Sequence, residues 1–453
     1  MAKARKTAEV LPSAHRLINS LRDLGYQVAE AVADLVDNSI AAGAHRVDIS
    51  VHFDGQDSWI RIADDGRGMD AAAITEAMRY GAARTYENDD LGKFGLGLKT
   101  ASMSQCRRLT VASRTSKSKA RMEVRQLNLD YVEETNTWDV LVLRSGERPE
   151  AVAEPLLSHR GTVILWEDLD RILTYADPSG GWARKHLLEL ADRIEEHLAM
   201  VFHRFLAGEV PRKKLRITLN GTAVEAWDPF ARDEKATEAL KPTEFELSTP
   251  GGSGIVKMAP YILPPKAGFS SEAAWRHQSG PANWNHQQGL YIYRANRLIQ
   301  SGGWSRIRTI DEHTKLSRIA LLFNPELDAA FGINVPKMRV KLPSELKSQI
   351  EEAVSSAARQ ARDAYDAKPD APKRASSSRR GNKKVSAPAV SVPPDGSTSA
   401  STRDHHPDSV DVGVMQREAL ENAAAMAEET VALRRIVGAL KRESPRVAKQ
   451  LGW

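Results

Sequence analysis

Glu30, Asp34 and Asn38 stand at i, i+4 and i+8 within YQVAEAVADLVDNSIAAGAHRV, and on an α-helix residues so spaced share one stripe. The stripe lies off the apolar face, where such a row is an ordinary solvated face unless other groups in the chain converge on it. A second group, DDGRGMD, runs from Asp64 to Asp70; it puts an acid where a strand runs into a glycine-bearing turn, a place where backbone can approach a ligand closely. The third, GKFGLGLKTAS, runs from Gly92 to Ser102. Its glycines free backbone N–H groups to face phosphate oxygens ahead of a helix N-terminus. Gly92 and Gly97 have P-loop spacing, but Leu98 intrudes before Lys99 and Thr100. One inserted residue swings the lysine by about 100° around a helix. Taken alone, the stretch is open to four readings: a decayed P-loop, a dinucleotide-type glycine turn, a chance pattern or another kind of phosphate cradle.

Each group must be positioned by regular structure. Val28, Val32, Leu35, Val36 and Ile40 recur at helical spacing, with Gly43 as a C-terminal stop. RVDISVHF alternates with Val47, Ile49, Val51 and Phe53 on one side, DGQDS turns, and WIRIA returns as a second strand that delivers Asp64. AAAITEAMRY and LGLKTASMSQ read as helices flanking the loop GAARTYENDDLGKFG. RRLTVASR, RMEVRQL, WDVLVLR and GTVILWED read as further strands, and KHLLELADRIEEHLAMVFHRFLAG as one long helix ending near residue 207. The fold class is α+β, a sheet covered by helices on one face.

At 453 residues, two folded domains plus unstructured sequence are expected. A second unit over 208–367 runs from KKLRITLNGTAVEAWDPF through the strand-like GLYIYRANRLI to the helix PSELKSQIEEAVSSAARQARDAY. From 368 to 412 the composition predicts a disordered basic linker, with KRASSSRRGNKK at Lys373–Lys384. It reads equally as a solvated spacer or as an arm for DNA. Residues 413–453 read as a helical segment whose narrow apolar stripe suits either a partner-protein helix or a coiled coil.

A hydrophobic content of 41%, charged content of 27% and net charge of +5 are those of a soluble globular chain. No apolar run nears the roughly 18 residues of a membrane span, and no apolar core marks a signal peptide at the N-terminus. The single cysteine, Cys106, allows no internal disulfide framework or Cys-rich zinc module. The expected setting is intracellular, cytoplasmic or with the nucleoid or nucleus, with no membrane partner.

Each motif alone has an ordinary explanation: a solvated helix face, a tight turn, a chance GxG. Their conjunction in this order resembles the GHKL ATPases, the superfamily of gyrase B, ninety-kilodalton heat-shock chaperones, histidine kinases and MutL. DLVDNSIAAGA is similar to the first family box, DDGRGM to the second, GKFGLGLKTASMS to the third and GTVILWEDL to the fourth. GLGLKTASMS and GLYIYRANRLI are similar to the wording of MORC proteins, and FGINVPKMRV to the MutL stretch that carries a second-domain lysine. The resemblance covers roughly residues 15–350.

It implies a Bergerat-type sandwich over 1–207, a smaller α/β transducer-like domain, and ATP with Mg2+ as ligands. On that resemblance, Asp64 accepts the adenine amino group, Gly66 and Gly68 admit the base, Met69 packs on the purine and Thr162 bonds the base or a bridging water. Asn38 holds the metal. Gly92, Lys93, Phe94, Gly95, Leu96 and Gly97 close over the triphosphate at the end of a lid loop spanning 81–97, and Lys99 adds charge beside it. Asp34 is the implied base, though the family carries glutamate there; the shorter side chain draws the carboxylate back by about 1.5 Å. That shortening bears on hydrolysis rate more than on binding, so slow turnover is expected. Glu30, about 6 Å away along the helix, is a poor substitute. Lys337 in NVPKMRV is the implied electrophile, with Arg339 and Lys341 as rivals.

The implied cycle is ATP binding, lid closure and homodimerisation in a DNA-associated process such as repair, compaction or defence. The alternatives are a chaperone-like protein, for which the second unit is small, and an ATP-binding scaffold without turnover. A histidine kinase would need a phosphoacceptor helix ahead of the domain, and His15 stands too close to the N-terminus. DHH at Asp404–His406 falls in the predicted disorder and reads as chance.

Overall fold

The computed structural model describes residues 12–367 except 24, 82–96, 116–120, 158, 212, 251 and 334–339, together with Val437 in the tail. The linker and the remainder of the tail therefore lie outside the described residues. Residues Met1–Lys373 cluster as one compact unit, the one considered below.

Helices are α1 (Ala14–Arg22), α2 (Val28–Ala41), α3 (Ala71–Met78), α4 (Gly97–Met103), α5 (Leu129–Thr135), α6 (Glu150–Ala153), α7 (Gly181–Val201), α8 (His203–Leu206), α9 (Glu272–Gln278), α10 (Trp284–Gln287) and α11 (Ser344–Asp366). Strands of the first sheet are β1 (Arg46–His52), β2 (Trp59–Asp64), β3 (Arg108–Arg114), β4 (Glu123–Asn128), β5 (Leu141–Val142), β6 (Gly161–Glu167), β7 (Arg216–Leu219) and β8 (Thr222–Ala223). They lie in the order β5-β4-β3-β6-β2-β1-β7-β8, antiparallel except for β1 beside β7. The second sheet takes β9 (Glu238–Ala239), β10 (Thr243–Thr249), β11 (Gly252–Ile262), β12 (Gly289–Arg294), β13 (Arg297–Gln300) and β14 (Ser317–Phe323). Its path is β10-β11-β14-β12-β13, with β9 on β11.

The α+β class read from the sequence is the architecture observed. One face of the first sheet packs Val47, Ile49, Ile60, Ile62, Leu109 and Val111 against α1, α2, α4 and α7. The opposite face carries a smaller cluster in which Ala63, Ala112, Val124 and Val163 meet Val152 of α6 and Leu156. The second sheet packs its apolar face on α11 through Leu346, Ile350, Val354, Ala358 and Ala361.

Local differences from the sequence expectation have physical causes. Of WDVLVLR, only Leu141 and Val142 pair with β4. The long helix breaks at Phe202, whose ψ of 14° leaves the helical range. GLYIYRANRLI is a hairpin rather than one strand. Ala295 and Asn296 both take positive φ, 46° and 71°, the pattern of a two-residue hairpin turn matched to strand twist; an alanine there carries little turn signal. The first sheet also continues past 207, since β7 and β8 pair onto it.

Candidate nucleotide site

α2 begins with a capping box, in which Gln27 and Glu30 satisfy each other's backbone ends. Burial raises the Glu30 carboxyl above its usual range, with the Asp34 charge adding to the rise and the Gln27 N–H opposing it. Packing on the sheet, α4 and α7 buries every residue from Ala31 to Ile40 except Asn38, which is exposed.

Asp34, one turn earlier, is 3% exposed. Its Oδ2 accepts from the Tyr26 hydroxyl at 3.1 Å, and burial together with the Asp34 charge drives the Tyr26 pKa far up, so that hydroxyl stays a donor. A methyl group built on Gly97, the first residue of α4, would lie 3.8 Å from the same Oδ2. The carboxylate thus stands against the point where the glycine-rich stretch becomes a helix.

Asp64 ends β2, directly across from Thr162 of β6 in the sheet register, and Thr162 is in turn opposite Ser113 of β3. Asp64 Oδ1 accepts the Gly66 N–H at 2.9 Å and the Thr162 N–H at 3.2 Å. Oδ2 accepts from Ser39 Oγ at 3.0 Å. Burial pushes the carboxyl up to about 6 against the pull of those three donors. Ser113 Oγ lies 3.0 Å from Thr162 Oγ1 and accepts the Met69 N–H at 2.8 Å, pinning the turn. Gly68 has φ of +71° and a Cβ there would meet the Arg114 carbonyl at 2.1 Å, so the turn's own packing demands glycine. Gly66 is buried, with a built Cβ 2.9 Å from the Ala42 methyl.

Asp34, Asn38, Asp64, Gly66, Gly68, Met69, Gly97 and Thr162 therefore belong to one region joined through α2 and the edge of β2 and β6. Lys99 is 2% exposed. Its Nζ donates to the Ala77 carbonyl at 3.0 Å and lies 5.9 Å from the Tyr80 ring centroid, and burial lowers its pKa to about 8. Gly92, Lys93, Phe94, Gly95, Leu96 and Lys337 lie outside the described residues.

Four contributors were missed in the sequence: Tyr26, Ser39, Ser113 and Arg297. Arg297, on β13, sends its Nε to Asp37 Oδ2 at 2.8 Å and stands with Nη2 3.7 Å from Asp34 Oδ1. Only the polar runs DNS and VASR hinted at the two serines, and no local pattern marked Arg297.

The mixed sheet, the helix that exposes Asn38 and the strand-end carboxylate ringed by donors lie in the part of the chain that resembles the GHKL ATPases. Residues 26–156 match the family described as histidine kinase-, DNA gyrase B-, and HSP90-like ATPase. Parts of the chain are similar to MutL proteins. It is 31% identical over 182 residues, 39% of this chain, to the DNA mismatch repair protein MutL of Rhodospirillum rubrum. It is 28% identical over 204 residues, 44% of this chain, to MutL of Cellvibrio japonicus, and 37% identical over 114 residues, 24% of this chain, to MutL of Aliivibrio salmonicida. These matches span 24%, 28% and 17% of the respective relatives' own lengths. Among the described residues, no helix is long and apolar enough to cross a membrane.

Proposed function

We propose that the chain binds ATP between α2, the Asp64 turn and the start of α4, and hydrolyses it slowly to drive lid closure and N-terminal homodimerisation. The observation that carries this is the double reach of α2. Asp34 abuts the start of α4, while Ser39, five residues on, is bonded to the Asp64 carboxylate.

Asp64 has the donor set of an adenine-selective floor. When ionised it is acceptor-only, so it suits the exocyclic N–H of adenine and is mismatched to the guanine carbonyl. Thr162 and Met69 flank it. Asn38 fits a divalent cation as a neutral oxygen donor, and Mg2+ held there would neutralise charge on phosphate oxygens. Asp34 is the general base, oriented by Tyr26 to take the proton of the attacking water. Lys99, whose Nζ bonds the Ala77 carbonyl and lies against the Tyr80 ring, is kept as a positive charge beside the triphosphate. The 81–97 lid and Lys337 as second-domain electrophile remain part of this proposal, with the domain limits 1–207 and 208–367 as its working frame.

The MutL relatives and the basic segment 373–384 support a DNA-associated role for the whole protein, through repair, compaction or defence, with the C-terminal segment 413–453 as a partner site. A second reading, an ATP-binding scaffold without turnover, is favoured by one feature: aspartate stands where the resembling families have glutamate. Turnover by wild type beside Asp34→Ala decides between them. Equal background rates would leave the scaffold, and undiminished ATP binding by Asp64→Asn would remove the site itself. For DNA, affinity should fall steeply across a salt series; flat or absent binding would exclude a phosphate-tracking role.

A further inference from the structure

We propose that Arg297, delivered from the second sheet, is a positioning residue for the Asp34 carboxylate and makes the attitude of that sheet part of the catalytic geometry. The inference rests on the reading of Asp34 as the base.

Asp34 and Asp37 are both buried on α2, at 3% and 0% exposure, three residues apart and hence on neighbouring parts of one face. Two carboxylates so placed repel, and a buried charge needs a partner. Arg297 supplies one guanidinium to both. Nε lies 3.1 Å from Asp37 Oδ1 and 2.8 Å from Oδ2. Nη2 stands 3.7 Å from Asp34 Oδ1, beyond hydrogen-bond length yet well within electrostatic reach. The cation is thus anchored on Asp37 and acts at a short distance on Asp34. Its fork is rigid and permanently charged.

The guanidinium direction comes from the second sheet. Nη1 donates to the Leu298 carbonyl at 3.3 Å, and Cζ lies 5.9 Å from the centroid of the Phe202 ring, at the break between α7 and α8. The hairpin turn at Ala295 and Asn296 sets where β13 presents it. A tilt of the hairpin would carry the cation away from Asp34 without altering α2. Among the described residues, Tyr26, Glu30, Thr100 of α4 and His197 of α7 also stand near these carboxylates or their partners. His197 is held neutral by burial and by Arg297, and Tyr26 stays protonated, so neither replaces the arginine as a cation near neutral pH.

The test uses the full chain with Arg297→Ala, Arg297→Lys, Asp37→Asn and the Asp37→Asn/Arg297→Ala double variant. Three quantities are read: ATP turnover against pH, nucleotide affinity, and titration of the Asp34 carboxyl by 13C NMR of labelled aspartate, assigned from its loss in Asp34→Asn. Arg297→Ala should lower turnover by about 10²-fold with affinity within about threefold, the signature of a displaced catalytic group. The Asp34 midpoint and the acid limb of turnover should rise together by about one pH unit or more, with Arg297→Lys restoring most of both. The double variant removes the stranded Asp37 charge and should recover thermal stability while keeping the low turnover and the raised midpoint relative to Asp37→Asn alone. Recovery of turnover in the double variant, or an Asp34 midpoint indifferent to Arg297, would overturn the proposal and leave Arg297 as the counterion of Asp37 only. Wild-type turnover no faster than Asp34→Ala would instead defeat the hydrolysis reading, and the carboxyl titration would still decide whether Arg297 governs Asp34.

Discussion

The Ser39 hydroxyl donates to Asp64 Oδ2 at 3.0 Å, tying the helix that carries Asn38 to the strand end proposed to read adenine. Ser39→Ala removes one of three donors to a half-buried carboxylate. Loss of a hydrogen bond to a charged group weakens that form by about 1.5–3 kcal/mol, so adenosine affinity should fall roughly 10- to 100-fold with guanosine still excluded. Calorimetry with both nucleosides checks this. Asp64→Asn keeps acceptors for Gly66 and Thr162 but places an N–H2 where the adenine amino group would approach, and should abolish measurable binding.

Proton linkage gives a second prediction. With the Asp64 carboxyl raised to about 6, the fold binds a proton more tightly than the unfolded chain between about pH 4 and 6. Stability from this group therefore falls as pH rises through that window. Asp64→Asn should be the more stable protein above pH 6, by about 1–3 kcal/mol, in urea unfolding at pH 5 and 7. Adenosine binding runs the other way, strengthening as the carboxylate ionises and levelling above pH 7.

Lys99 contributes the opposite sign at alkaline pH. Burial lowers its pKa from 10.5 to about 8, so between those values the unfolded chain holds more protons and stability rises with pH. Lys99→Met should flatten that rise between pH 8 and 10, seen as a shrinking gap in melting temperature between variant and wild type.

Extending the base tests the short carboxylate. Asp34→Glu advances the carboxylate by about 1.5 Å toward the start of α4, where Gly97 offers no side chain. Turnover should rise about tenfold, whereas Asp34→Ala should lose about 10²-fold or more, both with ATP affinity within about threefold. Equal rates for Asp34→Glu and Asp34→Ala would contradict the assignment.

A backbone test needs no ligand. A Cβ on Gly161 would lie 1.8 Å from the Asp64 carbonyl, at φ of +138°. Gly161→Ala should cost about 3 kcal/mol or more, whereas Gly146→Ala, with open space around it, should change stability by no more than about 0.5 kcal/mol. Thermal unfolding of the two variants compares them.

The α+β class, the course of α2, the β1–β2 hairpin and the order of the three motifs were legible in the chain itself. They depend on periods of 3.6 and 2 and on turn residues, all local properties. Asp34, Asn38 and Asp64 could be named because their three motifs, each weak alone, together resemble the GHKL boxes. Tertiary structure alone decided which buried charges meet. Arg297 reaches Asp37 across 260 positions, Ser39 closes on Asp64 across 25, and Lys99 turns to the Ala77 carbonyl within the fold. Burying an ionised group requires a partner from whatever surface packs against it, and that surface is chosen by the packing of whole elements, which no local spacing encodes.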